Sequence, residues 1–250
     1  MSSYRSNLAS LAVHTFPAEG PEDPCNPLVV LIHGGASSHR MYRTTIPILN
    51  ANNYKVAAVD LPGHGDSADL GPFTFAKTTQ LLAPAIASIK QENAMDVLIV
   101  GVSLGGQVVL DLLQNDPSLV EGAIVSGASI HPPDEQAQFE VPKLPTDQVW
   151  LDILTEDVKI VGIEHTAAIQ NQSFAFTFDP RESLPPTLVV IGENDIPMAR
   201  RDFEELAVLA KRGNDRSESI VLKNAWHNHP LDVPERFAAL IEEWAQKIIV

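Results

Sequence analysis

The apolar run Val97-Leu98-Ile99-Val100-Gly101-Val102 passes straight into Ser103-Leu104-Gly105-Gly106-Gln107-Val108-Val109-Leu110. The first half is rich in β-branched residues, as a buried parallel strand is, and the second half suits a helix. Only Gly-x-Ser-x-Gly lies between them, so the chain must swing from strand to helix within one turn. Such a turn forces Ser103 into a strained backbone conformation, and Gly101 and Gly105 remove side chains that would collide there. The hydroxyl is then held at a helix N-terminus, where unpaired N–H groups and the helix dipole favour negative charge. The same five-residue pattern also occurs in loops without chemistry. Its meaning therefore depends on whether the rest of the chain supplies a base, an acid and a site for an oxyanion.

Strand-like and helix-like stretches alternate on both sides of this turn. Leu8 to Phe16 alternates loosely as an early strand, and a Pro-rich loop follows. Leu28 to Ile32 reads as a buried strand ending in the small-residue loop His33-Gly34-Gly35-Ala36-Ser37-Ser38. A helix is expected over Met41 to Asn52. Val56 to Val59 is the next strand, and it closes on Asp60-Leu61-Pro62-Gly63-His64-Gly65-Asp66-Ser67. Thr74 to Gln91 has helical periodicity, with Leu81, Leu82, Ala85, Ile86 and Ile89 on one face. Gly122 to Ser126, Leu188 to Ile191 and Ser219 to Leu222 read as further strands. Helices are expected from about Ala199 to Lys211 and at the C-terminus, where Phe237, Leu240, Ile241, Trp244 and Ile248 form an apolar stripe.

This rhythm predicts an α/β fold: a mainly parallel sheet of about seven to eight strands with helices on both faces. It breaks once. From Ile130 to Pro186 prolines border helix-like stretches and the run Phe174-Ala175-Phe176-Thr177-Phe178. The expected organisation is a core of residues 1–129 and 187–250 carrying a lid of residues 130–186, inserted after the sixth strand. A lid there would cover the C-terminal edge of the sheet, where open α/β sheets bind ligands.

Composition narrows the function classes. The 250 residues carry a net charge of −15, with no cluster of Lys and Arg, which argues against nucleic acid or an anionic membrane as a partner. No 18-residue apolar run is present that could span a bilayer. The first residues lack a signal-peptide core, so a cytoplasmic location is expected. Cys25 is the single cysteine, which leaves it neither a disulfide partner within the chain nor a thiolate metal cluster.

Taken together, these stretches resemble the α/β-hydrolase superfamily from Leu28 to the final helix. His33-Gly34-Gly35 is similar to the family's oxyanion loop, Asp60 to Ser67 to its signature after the following strand, and Gly101 to Gly105 to its nucleophile elbow. Gly192-x-x-Asp195 is similar to its acid turn, and His227, with Leu231, Asp232, Pro234 and Phe237 after it, to its histidine loop. Within the superfamily the chain looks most like the small single-lid esterases and enol-lactone hydrolases. The resemblance implies Ser103, Asp195 and His227 as catalytic residues and the backbone N–H groups of Gly35 and Leu104 as the oxyanion hole. It implies no cofactor and no metal.

Elementary chemistry points the same way. A serine hydroxyl needs an adjacent base near neutrality, and histidine has the pKa for that task. His227 follows the last strand, and Asp195 ends the preceding one, where a carboxylate can orient the imidazole. Glu193 and His229 are the rivals for acid and base. Ser126 and Ser129 occupy a strand end where some relatives carry the acid, so with no carboxylate there Asp195 is required. His227-x-His229 lacks the further ligands of a hydrolytic zinc site. His33 and His64 are expected to hydrogen-bond loops beneath the site.

The expected reaction is hydrolysis of a small carboxylic ester or lactone through an acyl-enzyme on Ser103. Ser37, Trp150, Phe174, Phe176, Met198 and Trp226 are candidates to touch that small-molecule substrate. Two alternatives stand beside it: a lyase or carbon–carbon bond-cleaving enzyme using the same three side chains as acid and base, and a receptor that binds without turnover. Haloalkane dehalogenase and epoxide hydrolase chemistry would need aspartate at the elbow, where Ser103 stands.

Overall fold

A computed structural model describes residues 10–20, 25–133, 148–180 and 183–248. Among the described residues seven strands form one sheet: β1 (Val13–Phe16), β2 (Leu28–Ile32), β3 (Val56–Val59), β4 (Val97–Val102), β5 (Gly122–Ser126), β6 (Thr187–Gly192) and β7 (Glu218–Leu222). Their order is β1-β3-β2-β4-β5-β6-β7. Only β1 runs antiparallel, pairing Val13 with Val59, and every other neighbouring pair is parallel. Strands β2 to β6 are buried along their whole length. Their uninterrupted Val, Ile and Leu runs are what a sheet covered on both faces requires.

Alternate residues of the buried strands feed two cores. On one face Val30, Ile32 and Ile99 pack with Leu82, Ile86, Val108 and Leu206, which come from α2 (Phe75–Asn93), α3 (Leu104–Asn115) and α6 (Pro197–Gly213). On the other, Val29, Leu31, Leu98 and Val100 pack with Leu49, Phe237, Ile241 and Trp244, from α1 (Thr45–Ala51) and α8 (Pro234–Ile248). Each such side chain stabilises the fold by about 1.5–3 kcal/mol relative to exposure.

Two expectations are corrected. The helix expected over Met41 to Asn52 is split into a 3₁₀ turn (His39–Tyr42) and α1. Pro47 is the reason: a continuous helix would need its missing N–H and would press its ring on the carbonyl of Arg43. The second concerns the position of the break in the rhythm. With Val13–Phe16 the one strand before β2 among the described residues, the segment that breaks the rhythm follows the fifth strand, β5, rather than the sixth. That segment contains α4 (Gln148–Val161) and α5 (Ile163–Phe174).

The sheet order decides where a ligand can enter. After β2 the chain moves to β3 on one side and later returns to β4 on the other, so the loops leaving β2 and β4 diverge. That divergence opens a crevice at the C-terminal ends of the strands.

Candidate active site

Ser103 sits at this crevice, between β4 and α3, with φ 56° and ψ −119°. Positive φ in a non-glycine residue costs about 1–3 kcal/mol and needs support from its surroundings. The support comes from backbone packing. A Cβ on Gly101 would lie 2.2 Å from the carbonyl oxygen of Gly105, and one on Gly105 would lie 2.2 Å from that of Ile32. Both glycines are therefore required by close approach of three main chains.

Asp195 lies in the turn after β6, and His227 in the loop after β7. Folding joins them. His227 Nε2 lies 2.8 Å from Ser103 Oγ, and His227 Nδ1 lies 2.5 Å from Asp195 Oδ1. The backbone N–H groups of Ile196 and Gly192 donate to Asp195 Oδ1 and Oδ2 at 2.7 and 3.1 Å. Burial pushes the Asp195 carboxyl up, but the His227 charge, the hydrogen bond from His227 and the nearby His229 outweigh it and hold the group well below the usual carboxylate range. For His227 burial works downward, and the neighbouring Asp195 carboxylate overrides it, so its pKa is raised. Glu193, the rival acid, points elsewhere: it accepts from Lys223 and from the N–H of Asn224.

The Gly34-Gly35 loop is held by the imidazole beneath it. The N–H of Leu61 donates to His33 Nε2 at 3.0 Å, so His33 Nδ1 carries the proton and donates to the Gly34 carbonyl at 2.7 Å. In a trans peptide the following N–H points opposite to that carbonyl. His33 thereby sets the direction of the Gly35 N–H, which donates to no group among the described residues. Leu104 opens α3, so its N–H has no acceptor within the helix. His64 does similar work one residue on, where its Nε2 accepts from the N–H of Ala36 at 3.3 Å. Desolvation lowers the pKa of both imidazoles, His64 to about 3, which keeps them neutral at their posts.

Ser103 and His227 open on a cavity of about 390 Å³. Met41, Leu104, Ile153, Ile169, Phe174 and Met198 give it apolar walls, and Gln107, Ser129 and Ser173 add polar atoms. Among the described residues no Lys, Arg, Asp or Glu lines it. Of the six substrate candidates, Ser37, Phe174 and Met198 line the cavity. Phe176 does not: it is buried in the core and packs on Phe75, ring centroids 4.8 Å apart. Phe174 is the last residue of α5, so strand-like alternation of side chains does not relate it to Phe176. Trp226 is part-buried away from the lining, and the side chain of Trp150, in α4, lies outside the described residues. The lining residues that sequence reasoning missed, Gln107, Ile153 and Ile169 among them, are helical core-type residues with no local signal.

One side-chain group among the described residues has ligand types suited to a transition metal: His14, His39 and Asp60, with ligand atoms within 4.8 Å of one another. It is not part of the cavity. The two rings stack with centroids 3.6 Å apart, and both direct a nitrogen at Asp60 Oδ2, at 3.1 and 3.0 Å. Asp60 also accepts from the N–H groups of His39 and Asp66. Hydrogen bonds thus satisfy this carboxylate and tie β1 to the loop after β3.

Known proteins share this design. A relative from Gibberella zeae described as an AB hydrolase superfamily protein is 35% identical over 251 aligned residues, covering 89% of this chain and 81% of that protein. Pimeloyl-[acyl-carrier protein] methyl ester esterase of Nitrosospira multiformis is 31% identical over 263, covering 91% of this chain and 95% of that one. Among solved structures, a thermophilic esterase from Thermogutta terrifontis, malate bound, matches with a TM-score of 0.71 at 19% identity. The match covers 96% of this chain and 94% of that chain, and at that identity it speaks to the fold. The model of the alpha/beta hydrolase family matches residues 29–240, and with these two relatives it makes the chain a member of that family.

Proposed function

We propose that this chain hydrolyses a small, uncharged carboxylic ester or lactone through an acyl-enzyme on Ser103. The observation that carries the reading is the hydrogen-bonded line Ser103–His227–Asp195 opening on a cavity without charged side chains. Ser103 Oγ attacks the carbonyl carbon as His227 Nε2 takes its proton, and the carbonyl π electrons move to oxygen. The N–H groups of Gly35 and Leu104 hold that oxyanion, each donor being worth about 10²–10³ in turnover. Collapse re-forms the carbonyl and expels the alkoxide, which His227 protonates. Water deprotonated by His227 then attacks the acyl carbon and releases the acid, returning the proton to Ser103. Asp195 holds the imidazole throughout. The helices α4 and α5 act as the lid and select the acyl group, since Ile153, Ile169 and Phe174 of these helices line the cavity. The methyl ester esterase relative supports an ester substrate with a small alcohol.

The test combines a fluorophosphonate label with turnover of a p-nitrophenyl ester. Ser103 labels stoichiometrically, and Ser103→Ala neither labels nor turns over, with kcat about 10⁶-fold lower. The rate depends on neutral His227, whose pKa is raised above 6.5, so kcat/KM falls as pH drops through a value above 6.5. Turnover with no acyl adduct on Ser103 after rapid quenching would instead favour the lyase reading. Ligand binding without turnover would establish a receptor.

A further inference from the structure

Asp195 stands between two imidazoles, and the reaction above uses only one. His229, the first residue of α7 (His229–Asp232), is completely buried. Its Nε2 lies 3.3 Å from Asp195 Oδ2, within charge-pairing distance but outside hydrogen-bond geometry, and it has no hydrogen-bond partner among the described residues. Its Nδ1 lies 2.5 Å from the hydroxyl of Ser126, the buried last residue of β5. The line therefore continues past the carboxylate: Ser103, His227, Asp195, His229, Ser126. The same serine–imidazole pair stands on either side of one Asp. Only the first pair meets the cavity, for neither His229 nor Ser126 lines it.

With a neutral His229 ring, one proton assignment avoids setting a nitrogen lone pair against the carboxylate. Ser126 O–H donates to His229 Nδ1, which leaves the proton on Nε2, facing Asp195 Oδ2. Each Asp195 oxygen then meets one backbone N–H and one imidazole: Ile196 and His227 at Oδ1, Gly192 and His229 at Oδ2. A buried imidazole is a poor core filler, because any unpaired ring nitrogen loses its hydration without return. An apolar side chain would fill that space at no such penalty. Its value must lie in what it does to Asp195. Gly192 packs directly against this ring, since a Cβ there would lie 2.8 Å from His229 Nε2.

We propose that His229, oriented by Ser126, is a positioning residue that holds the second oxygen of Asp195 and so aims the first at His227. The proposal rests on the reading of Ser103, His227 and Asp195 given above. When His227 becomes an imidazolium, a carboxylate whose Oδ2 faces a ring nitrogen as well as the Gly192 N–H turns less easily than one held by the Gly192 and Ile196 amides alone. The donor also tempers the basicity of Asp195. Removing it makes the carboxylate a stronger partner for the imidazolium and raises the pKa of His227. The other titratable group facing both imidazoles is Asp232 of α7, whose carboxyl burial raises.

The experiment measures kcat, KM and the pH profile of p-nitrophenyl ester hydrolysis for His229→Met, His229→Gln and Ser126→Ala. Gln places an amide N–H where Nε2–H stood. Expected are a fall in kcat of about 10–100-fold for His229→Met with KM within twofold, and an acid limb of kcat/KM moved to higher pH. His229→Gln restores most of the rate and returns the limb, and Ser126→Ala lies between. Asp232→Asn moves the limb the other way, which separates its charge from the role of His229. Parent kcat and an unmoved limb in His229→Met overturn the proposal. Should His229→Met not fold, Ser126→Ala decides it by the same two readouts. If the parent itself fails to label at Ser103, the reading of the reaction fails instead, so the two failures are distinct.

Discussion

The elbow and the helices between β5 and β6 meet at one cavity but are held in different ways. Around Ser103 the main chains of β2, β4 and α3 approach so closely that a single methyl group has no room. Helices α4 and α5 are tied by side chains. Asp157 of α4 is fully buried and accepts from Ser38 Oγ at 3.0 and 2.9 Å and from Arg40. At the other end Gln107 of α3 donates to the carbonyls of Ser129 and Ser173 at 2.9 and 3.1 Å. Between these ties Ile163 is 84% exposed. Backbone contact admits one solution and keeps Ser103 in register with His227. Side-chain ties admit many, so α4 and α5 can change the cavity lining without disturbing the Ser103–His227–Asp195 geometry.

The sharpest way to break this comparison is Gly105→Ala. Its Cβ meets backbone that cannot swing aside, so the loss of stability is about 3 kcal/mol, read from the urea midpoint. A loss below about 1 kcal/mol would show that the elbow yields as readily as the cover. Asp157→Asn tests the other side. Removing the charge that Arg40 and Ser38 meet weakens the α4 tie by about 1–1.5 kcal/mol. For p-nitrophenyl esters KM rises about tenfold while kcat stays within twofold. A fall in kcat at constant KM would mean that α4 shapes the reacting geometry after all. The smallest effect is expected from Ile163→Ser, within about 0.5 kcal/mol of the parent in stability. A larger loss would mean that this side chain is covered in solution.

Legibility in the sequence follows the same divide. The strands were readable because continuous β-branched runs bounded by Gly and Pro have few other uses. Ser103, Asp195 and His227 were readable for a related reason: each ends or follows a strand in a parallel sheet, and all such ends lie on one edge. The split of the helix before α1 could have been read from Pro47. Gln107, Ile153 and Ile169 could not, because a helical Gln or Ile looks alike whether it faces a core or a cavity. Phe176 misled because Phe174 ends a helix, so a spacing of two residues does not turn both rings to one side.

By itself the sequence determined the order of strands and helices, the strained turn at Ser103 and the types of residue at the strand ends. These are properties of short windows, set by backbone sterics and by the burial of apolar runs. Only the tertiary structure decided which nitrogen of His227 meets which oxygen of Asp195 and that His33 aims the Gly35 N–H. It alone placed His229 against the far oxygen of the same carboxylate. Two residues apart in the chain, His227 and His229 are the same letter in the same loop. What separates them is direction, since one ring turns to the cavity and the other into the sheet, and direction belongs to the packed fold rather than to any window of residues.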